Sequence, residues 1–314
     1  MSRTSSVPVM TRIADRAASK GRSGWVLGAD IGGTTTRIGI GNPWLVIQRQ
    51  MPSVSLTEIL AAMKSLLAES EEKPLRAVIA AAGPVERGRV TMTNLPWTLR
   101  ASALERSLGI PVFLINDVQA IAEAIPYLQP DELRVVHKGA GSSPEDAAVI
   151  LAFGTGLGKA IRFGDRSCPS EGGHAQLPAT PQELELLGAH RPTYEDVLSG
   201  RGLERLYRRL SGSSLPAMQI AKGEDKHARK AKQWFARFAG RCARNFMLEC
   251  KAGTCYLAGG IAARNPDVFY TREFLTALDS IPWPVSVSII MNTQAGLLGA
   301  CSVQGLDGDA QGRS

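Results

Sequence analysis

The stretch WVLGADIGGTTTRIGI, which occupies residues 25–40, sets the expectations for the rest of the chain. Apolar residues lie on both sides of Gly32-Gly33-Thr34, a pattern typical of a strand, a tight turn and a second strand. In a dinucleotide-binding fingerprint the glycines lead instead from a strand into a helix. We therefore predict a β-hairpin here, with the carboxylate of Asp30 at the end of its first strand.

The predicted hairpin turn has features that suit a phosphate group. Neither Gly32 nor Gly33 has a side chain that would keep a ligand away from the backbone. Successive N–H groups and the threonine hydroxyls can surround a phosphate, with Asp30 facing its magnesium ion. An ordinary structural hairpin explains a single turn of this kind equally well, so the interpretation depends on the rest of the chain.

Two further glycine-rich turns follow apolar runs. Residues 147–153 lead into Gly154-Thr155-Gly156-Leu157-Gly158, and residues 159–163 then alternate apolar and polar side chains as a half-buried strand does. Gly259-Gly260 follows the apolar residues 255–258. Because the strand-and-turn design recurs, the sequence predicts a duplicated fold that holds a nucleotide between its halves.

Helical and strand patterns alternate along the remaining chain. Residues 56–67 have apolar side chains at helical spacing and are predicted to form an amphipathic helix. Buried strands are predicted over residues 77–82 and 111–115. The second of these strands ends in Asn116-Asp117, before a helix predicted over residues 118–124. This alternation favours an α/β architecture. Residues 294–301 are predicted to form a C-terminal helix that returns to the first domain.

The composition is that of an ordinary globular protein, with 314 residues, 44% of them hydrophobic and 21% charged. No apolar run approaches the roughly 20 residues that a membrane-spanning helix needs, so we predict no membrane span. The net charge of +7 suits anionic partners, which include nucleic acid and phosphorylated small molecules. Much of the excess lies at helical spacing between residues 201 and 251, where a solvated helix face is favoured over a nucleic-acid-binding patch.

The five cysteines are scattered and form no C-x-x-C pair. Their distribution argues against a disulfide framework or a structural zinc site and favours a reducing cytoplasm. Residues 1–23 contain Ser, Arg and Lys but no continuous apolar core, which excludes a secretory signal peptide. For this segment a disordered tail is favoured over an organellar transit peptide.

Short motifs spread over residues 25–303 resemble the bacterial glucokinase family, within the superfamily of sugar kinases, Hsp70 and actin. In chain order, the motifs are Asp30-Ile31-Gly32-Gly33-Thr34, Thr93-Asn94-Leu95-Pro96-Trp97, Ile115-Asn116-Asp117, Gly154-Thr155-Gly156-Leu157-Gly158, Glu171-Gly172-Gly173-His174, Glu195-Asp196-Val197-Leu198-Ser199-Gly200, Leu257-Ala258-Gly259-Gly260-Ile261 and Gly296-Leu297-Leu298-Gly299. The zinc-binding cysteine cluster and helix-turn-helix region of the related repressor branch are missing, so the zinc-free branch is indicated. Residues 211–226 and 265–280 match poorly, and the adenine-contacting residues are therefore not identified.

The resemblance implies an α/β, two-domain actin-like or ribonuclease H-like ATPase fold with an interdomain cleft. We expect a disordered tail at residues 1–23, a small α/β domain at 24–117 plus 288–303, a large α/β domain at 118–287, and a C-terminal tail at 304–314. The sugar is expected in the cleft, where domain closure would exclude water from the phosphoryl group.

The resemblance also implies an activity, the ATP-dependent phosphorylation of D-glucose at its 6-hydroxyl, which gives glucose 6-phosphate and ADP. It assigns Asp117 as the general base for that hydroxyl. Position alone leaves open whether Asp117 is instead the N-cap of the helix that follows, a role to which Asp is well suited. The complete set of motifs favours catalysis.

The sugar-binding residues implied by the resemblance lie on several loops. They are Asn94, Asn116, Asp117, Glu171, His174 and Glu195. A metal-binding pair or a surface turn would also explain Glu171 and His174, but no cysteine pair lies near them. For Glu195 the alternative is a first-turn helix carboxylate that the helix dipole favours.

The resemblance places ATP at three glycine segments and Mg²⁺ at Asp30. The nucleotide-binding residues are Gly32, Gly33, Thr34, Gly154, Thr155, Gly156, Gly158, Gly259 and Gly260. A homodimer is implied, with neither a nucleic acid nor a membrane as partner. The alternatives are a kinase that acts on another hexose or uses polyphosphate, a non-catalytic sugar sensor, and a basic nucleic-acid-binding module, for which no motif is recognised.

Overall fold

The computed structural model describes residues 24–139 and 147–303. The tails predicted at residues 1–23 and 304–314 lie outside the described residues. The strands are β1 Val26–Ile31, β2 Thr35–Gly41, β3 Leu45–Pro52, β4 Arg76–Ala81, β5 Val85–Glu86, β6 Arg89–Thr91, β7 Thr98–Arg100, β8 Val112–Asn116, β9 Leu133–His137, β10 Ala148–Phe153, β11 Leu157–Phe163, β12 Arg166–Ser170, β13 Thr254–Ala258 and β14 Ser286–Ile290.

Helices connect these strands, as the alternating pattern predicted. The α-helices are α1 Leu56–Glu69, α2 Ala101–Leu108, α3 Asp117–Ala124, α4 Pro181–Leu187, α5 Tyr194–Val197, α6 Gly200–Ser211, α7 Ala217–Lys222, α8 Lys226–Cys250, α9 Gly259–Arg264, α10 Arg272–Leu275 and α11 Ala295–Ser302. Short 3-10 helices span Ile125–Tyr127, Pro130–Glu132, Gly172–His174, Pro266–Tyr270 and Leu278–Ser280.

The two large sheets repeat one topology. The first has the order β3-β2-β1-β4-β8, and the second has the order β12-β11-β10-β13-β14-β9. In each sheet a three-strand antiparallel meander is followed by two parallel strands, β4 and β8 in the first and β13 and β14 in the second. Strand β9 adds an antiparallel edge to the second sheet alone. The duplicated design predicted from the recurring glycine turns is present.

The chain divides into two compact units, one reaching Tyr127 and resuming at Gln294, the other spanning Leu128–Thr293. The boundaries between the two domains were predicted after residues 117 and 287. Helix α3 belongs instead with the first unit, because it packs against α11. Strand β14 belongs with the second unit, because it pairs with β13.

The first unit has a core on each side of its sheet. On one side Ile59, Met63 and Leu66 of α1 pack against the strands, and α1 begins at Ser55, whose side chain accepts from Glu58 N. On the other side α11 packs against β1, and α3 packs against β4 and β8. A methyl group at Gly299 would collide with the carbonyl oxygen of Ala120, so these two helices are in close contact. This packing fixes α3 at the end of β8.

The second unit is built on α8, a helix of 25 residues whose N-cap is Asp225. Its buried residues include Phe235, Phe238 and Phe246, and the ring of Phe153 at the end of β10 lies 5.9 Å from that of Phe235. Polar and basic residues occupy the rest of the helix surface. Within residues 24–139 and 147–303, no helix combines the length and the apolar character needed to cross a membrane.

Candidate active site

The turn after β1 has a second loop packed against it. Gly32 N donates to Thr35 O at 3.1 Å, which closes the turn, and Ser53 N donates to Thr34 O at 3.0 Å. A methyl group added at Gly33 would lie 2.9 Å from Asn94 Cβ. The structure therefore brings Asn94 to this turn, and glycine at position 33 permits the close approach.

Asp30, in the fifth position of β1, lies among charged neighbours and has a side chain that is 17% exposed. Burial is the main cause that raises the pKa of this carboxyl to about 6; the negative charge of Asp117 contributes to the rise, and the charge of Arg37 opposes it. The Arg37 Nη1 atom lies 3.8 Å from Asp30 Oδ2. Two carboxyl groups that oppose each other's ionisation create a site that a cation would stabilise.

These residues fit a magnesium ion and its phosphate partner. The described residues contain no group of three or more His, Cys, Asp or Glu side chains placed to hold a metal ion. A Mg²⁺ ion at Asp30 would therefore take its other ligands from water and substrate phosphate, which is its usual behaviour. Beside Asp30, the buried Nε of Arg37 has no hydrogen-bond partner among the described residues, so it can donate to an anion.

Arg37 was not among the residues predicted for the site. A turn confined to Gly32-Gly33-Thr34 would pair Asp30 with Thr36, whereas the turn in the structure spans residues 32–35 and makes Asp30 and Arg37 register partners. Opposite charges in directly paired positions attract each other across a sheet.

Asn116 and Asp117 lie where β8 ends and α3 begins. The N-cap is Asn116, whose Oδ1 accepts from Val118 N at 2.9 Å and from Gln119 N at 3.2 Å. Its Nδ2 donates to Gly83 O at 3.2 Å, which leaves one amide hydrogen for another partner. Asp117 is the first helical residue, and its Oδ1 also accepts from Val118 N, at 2.9 Å. The alternative interpretation of Asp117 as the N-cap is therefore wrong.

The second glycine turn is fixed by Glu195. Glu195 Oε2 accepts from Leu157 N at 2.9 Å, and a methyl group at Gly156 would collide with the same carboxylate. Thr193 holds the helix that carries Glu195, since its side chain and that of Asp196 form a capping box. Glu195 is thus attached to the turn that was predicted to bind phosphate.

The loop that carries Glu171 and His174 meets the same turn. A methyl group at Gly173 would collide with the carbonyl oxygen of Leu157. Glu171 Oε2 lies 3.7 Å from His174 Nε2, and both side chains are more than half exposed. Leu157 therefore contacts both segments: its N–H donates to Glu195, and its carbonyl packs on the loop that carries Glu171 and His174.

Gly259 and Gly260, predicted as a turn, are the first residues of α9. Gly259 has a φ of +86°, a conformation that favours glycine, and a methyl group there would collide with the Phe153 carbonyl. Phe153 is the last residue of β10, so α9 begins beside the strand that leads into the second glycine turn.

Lys159 is a further polar residue at this site that the sequence did not identify. The alternating pattern over residues 159–163 predicted a half-buried strand, yet Lys159 is only 4% exposed. Its Nζ lies 4.4 Å from the ring centre of Tyr194 and 4.8 Å from that of Phe246. Aromatic faces attract a cation, which accounts for the burial of this ammonium group. The side chain also contacts Gly172, so it touches the loops of both Glu171 and Glu195.

Comparisons with known proteins bear on the fold and the family. The sequence model of the family described as Glucokinase matches residues 27–305. A glucokinase from Sinorhizobium medicae is 31% identical over 281 residues, which cover 81% of this chain and 82% of that protein. A glucokinase structure from an Antarctic psychrotroph superposes with a TM-score of 0.76 and 26% identity, covering 90% of this chain and 98% of the other.

A third comparison supports the fold alone. A glucokinase of the ROK family from Streptomyces griseus, in complex with glucose and AMPPNP, has a TM-score of 0.65 and 20% identity, with 88% of this chain and 98% of that chain covered. The repeated sheets and these neighbours define a two-domain α/β kinase with the actin-like ATPase fold, as the sequence predicted. Because the family model matches most of the chain, the protein belongs to the glucokinase family.

Proposed function

We propose that Asp117 is the general base with which this glucokinase-family enzyme phosphorylates the 6-hydroxyl of D-glucose. The enzyme uses ATP and produces glucose 6-phosphate and ADP, in accord with its family and with its curated relatives. Transfer of a phosphoryl group to a hydroxyl needs in-line positioning, charge neutralisation and an acceptor for the hydroxyl proton. Asp117 supplies the acceptor.

The position of Asp117 carries this proposal. Asn116 already caps α3 through two backbone N–H groups, so the helix does not need a carboxylate at the next residue. Asp117 nevertheless stands at the end of a parallel strand, where α/β sheets bind their ligands, and close enough to Asp30 to affect its ionisation. A general base contributes about 10²- to 10⁴-fold to a rate.

Sugar contacts are proposed for each of the two units separately. In the first unit these contacts come from Asn94, against Gly33, and from the remaining amide hydrogen of Asn116. In the second unit they come from Glu171, His174 and Glu195, which the backbone of Leu157 brings near one another. A neutral polyol needs several oriented donors and acceptors, and these side chains provide both.

ATP is proposed to lie along the glycine segments. The residues are Gly32, Gly33 and Thr34 for the terminal phosphates, Gly154, Thr155, Gly156 and Gly158 for the second phosphate face, and Gly259 and Gly260 for the adenosine. Asp30 would hold Mg²⁺, which neutralises charge on the phosphates when bound. Arg37 keeps the Asp30 carboxylate in place and has one unpartnered donor beside it.

The test is glucose-dependent ADP release by wild type and by Asp117→Asn. The variant should lose about 10²- to 10⁴-fold in kcat, because the amide cannot accept the proton. Calorimetric glucose affinity should change far less, since the amide still forms hydrogen bonds. Asp165→Asn, at an exposed turn, is the matched control and should retain activity. Near-normal turnover in Asp117→Asn would remove this residue from the mechanism.

Substrate range and assembly are proposed from the same family relationship. Mannose, fructose and N-acetylglucosamine assayed beside glucose should give lower kcat/KM values. A homodimer is proposed for the native protein, and light scattering would detect it. The cytoplasm is the proposed compartment, in keeping with five cysteines that are all free thiols in the structure.

A further inference from the structure

A pocket in the second unit is lined by four arginines, none of which belongs to the site proposed above. Arg237, Arg241 and Arg244 come from α8 and Arg272 comes from α10, with the hydroxyls of Thr276 and Ser280 beside them. The pocket volume is about 470 Å³. Sites for small molecules typically have volumes of about 300–1,000 Å³, so the pocket has room for more than a single inorganic ion.

The backbone fixes the relative position of the two helices. Spacings of four and three residues place the three arginines of α8 on one face of that helix. A methyl group at Gly240 would lie 2.5 Å from Phe274 O, so α10 packs directly on α8 at this point. The arginines therefore approach from two elements that are held against each other.

The hydrogen bonds of the arginines orient some N–H groups and leave others for a ligand. Arg241 donates to both oxygens of Glu183, at 2.8 Å and 2.9 Å. Arg244 donates to Ser280 Oγ and Asn245 Oδ1, which leaves its Nη2 atom unused. Arg272 has no hydrogen-bond or ion-pair partner for its guanidinium among residues 24–139 and 147–303. Since a guanidinium has five N–H donors, much of the donor capacity of this pocket is unused.

The charge of the pocket is not balanced by its own acids. The Glu183 side chain is only 3% exposed, and Arg237 and Arg241 share it. Burial alone would raise the pKa of Glu183, but hydrogen bonds from Arg241 and Thr180 hold that pKa below its usual value, so the carboxylate is ionised. Glu273 is the carboxylate that lines the pocket itself. Four guanidinium groups thus face two carboxylates.

We propose that this pocket binds a small molecule that carries two or more phosphate groups and bridges α8 and α10. Guanidinium groups match phosphate oxygens with paired, charge-assisted hydrogen bonds. Because the unused donors lie on two helices, a ligand with separated phosphates can satisfy donors on both. The pocket lining contains no aromatic side chain on which a nucleobase could stack, so the phosphates are the groups recognised.

The proposal is tested by calorimetry on the full chain with inorganic tripolyphosphate, in metal-free buffer at constant ionic strength. Arg272→Ala should weaken the binding at least tenfold through loss of charge-assisted hydrogen bonds. Arg208→Ala removes the same charge from an exposed position of α6 and should leave the affinity unchanged. Tripolyphosphate also suits the glycine turns, so this difference between the two variants is the decisive readout.

Two further measurements complete the test. Glucose phosphorylation by Arg272→Ala, measured without tripolyphosphate, should equal that of wild type and would show that the variant is folded. Citrate, a polyanion with carboxylates and no phosphate group, should bind at least tenfold more weakly than tripolyphosphate. Equal affinity in Arg272→Ala and Arg208→Ala, equally tight citrate binding, or no binding of tripolyphosphate would each overturn the proposal.

Discussion

The hairpins β1–β2 and β10–β11 occupy corresponding places in the two sheets, yet different groups lie against their turns. Each hairpin begins with a central buried strand, turns at glycines, and is paired on its other side with a parallel strand. In the first unit the turn follows Asp30, a carboxyl affected by Asp117 and Arg37. In the second unit the corresponding position, one residue before the end of β10, is the uncharged Ala152.

The second turn is held by backbone contacts and by one carboxylate that is distant only in the sequence. Glu195 accepts from Leu157 N, and Gly173 packs on Leu157 O. The duplication therefore preserved the strand pattern while the functional groups diverged. The first hairpin brings charged side chains together near its turn, whereas the second hairpin fixes the position of the two loops that carry Gly173 and Glu195. Substitutions that move one turn without the other can test this division.

Among the substitutions that test the difference between the two turns, the largest effect is expected for Gly156→Ala. The added methyl group would displace Glu195 from Leu157 N, and a displacement of about 1 Å in a positioning group can reduce a rate by about 10²-fold. We expect kcat/KM for glucose to fall by about 10- to 100-fold, mainly through a higher KM. Steady-state kinetics with saturating ATP would measure this change.

A control and a double variant make the test specific. A methyl group at Gly200 would lie 3.7 Å from Ala217 Cβ, an ordinary contact, so Gly200→Ala should retain activity. If Gly156→Ala acts through Glu195, then adding Glu195→Ala should cost little more, because the two changes remove one interaction. Full additivity of the two losses would contradict this explanation.

Asp30 should give the first unit a pH dependence that the second turn lacks. Its pKa is raised from 3.8 to about 6, so between these pH values the folded protein binds a proton that the unfolded chain has released. Stability must therefore fall as pH rises through this window. Asp30→Asn removes this contribution, and the variant should gain roughly 2–3 kcal/mol relative to wild type between pH 4 and pH 7.

Urea unfolding in metal-free buffer, followed by tryptophan fluorescence at several pH values, would measure the difference. Arg37 stays protonated over this pH range, so its attraction to Asp30 changes only with the ionisation of Asp30 and is already contained in the raised pKa. Asp165→Asn should give a profile parallel to that of wild type. A parallel profile for Asp30→Asn as well would show that Asp30 ionises normally in the folded protein.

Local patterns were sufficient to predict strands β1, β2, β4, β8, β10, β11 and β13 and the first two glycine turns, but not the remaining strands. Asp30 was found because it lies near the end of a predicted strand, at the ligand-binding edge of a sheet. The role of Asp117 was implied by the family resemblance, since its position alone left the N-cap interpretation open. The burial of Lys159 was not found, because alternation defines only the face of a strand. The rings that cover that face, Tyr194 and Phe246, come from distant parts of the chain.

The predicted domain boundaries differ from those in the structure for a similar reason. Helix α3 follows β8 directly, and sequence order alone does not show that its packing partner is α11, which lies about 170 residues later in the chain. The hydrogen bond from Leu157 N to Glu195 Oε2 likewise joins residues from separate motifs. Each motif was recognisable, but the contact between them depends on tertiary packing.

The smallest effect is expected at the first paired residue after each turn. In the first hairpin this residue is Thr36, which is fully buried and whose Oγ1 lies 2.8 Å from Ser53 Oγ. In the second hairpin it is the apolar Leu157. Thr36→Val would leave the Ser53 hydroxyl without its partner and should cost about 1–3 kcal/mol of stability, the usual penalty for an unsatisfied buried group.

Removal of both hydroxyls should restore much of that loss, since replacing both partners of a buried hydrogen bond with apolar groups is often nearly neutral. Urea unfolding of Thr36→Val, Ser53→Ala and the double variant forms a complete cycle, with an expected coupling of about 1 kcal/mol. Glucose phosphorylation should change little, because this pair lies beneath the turn and holds no ligand group. If the two losses simply add, the hydroxyl pair does not contribute to stability, and the difference between the two hairpins would lie only in their charged groups.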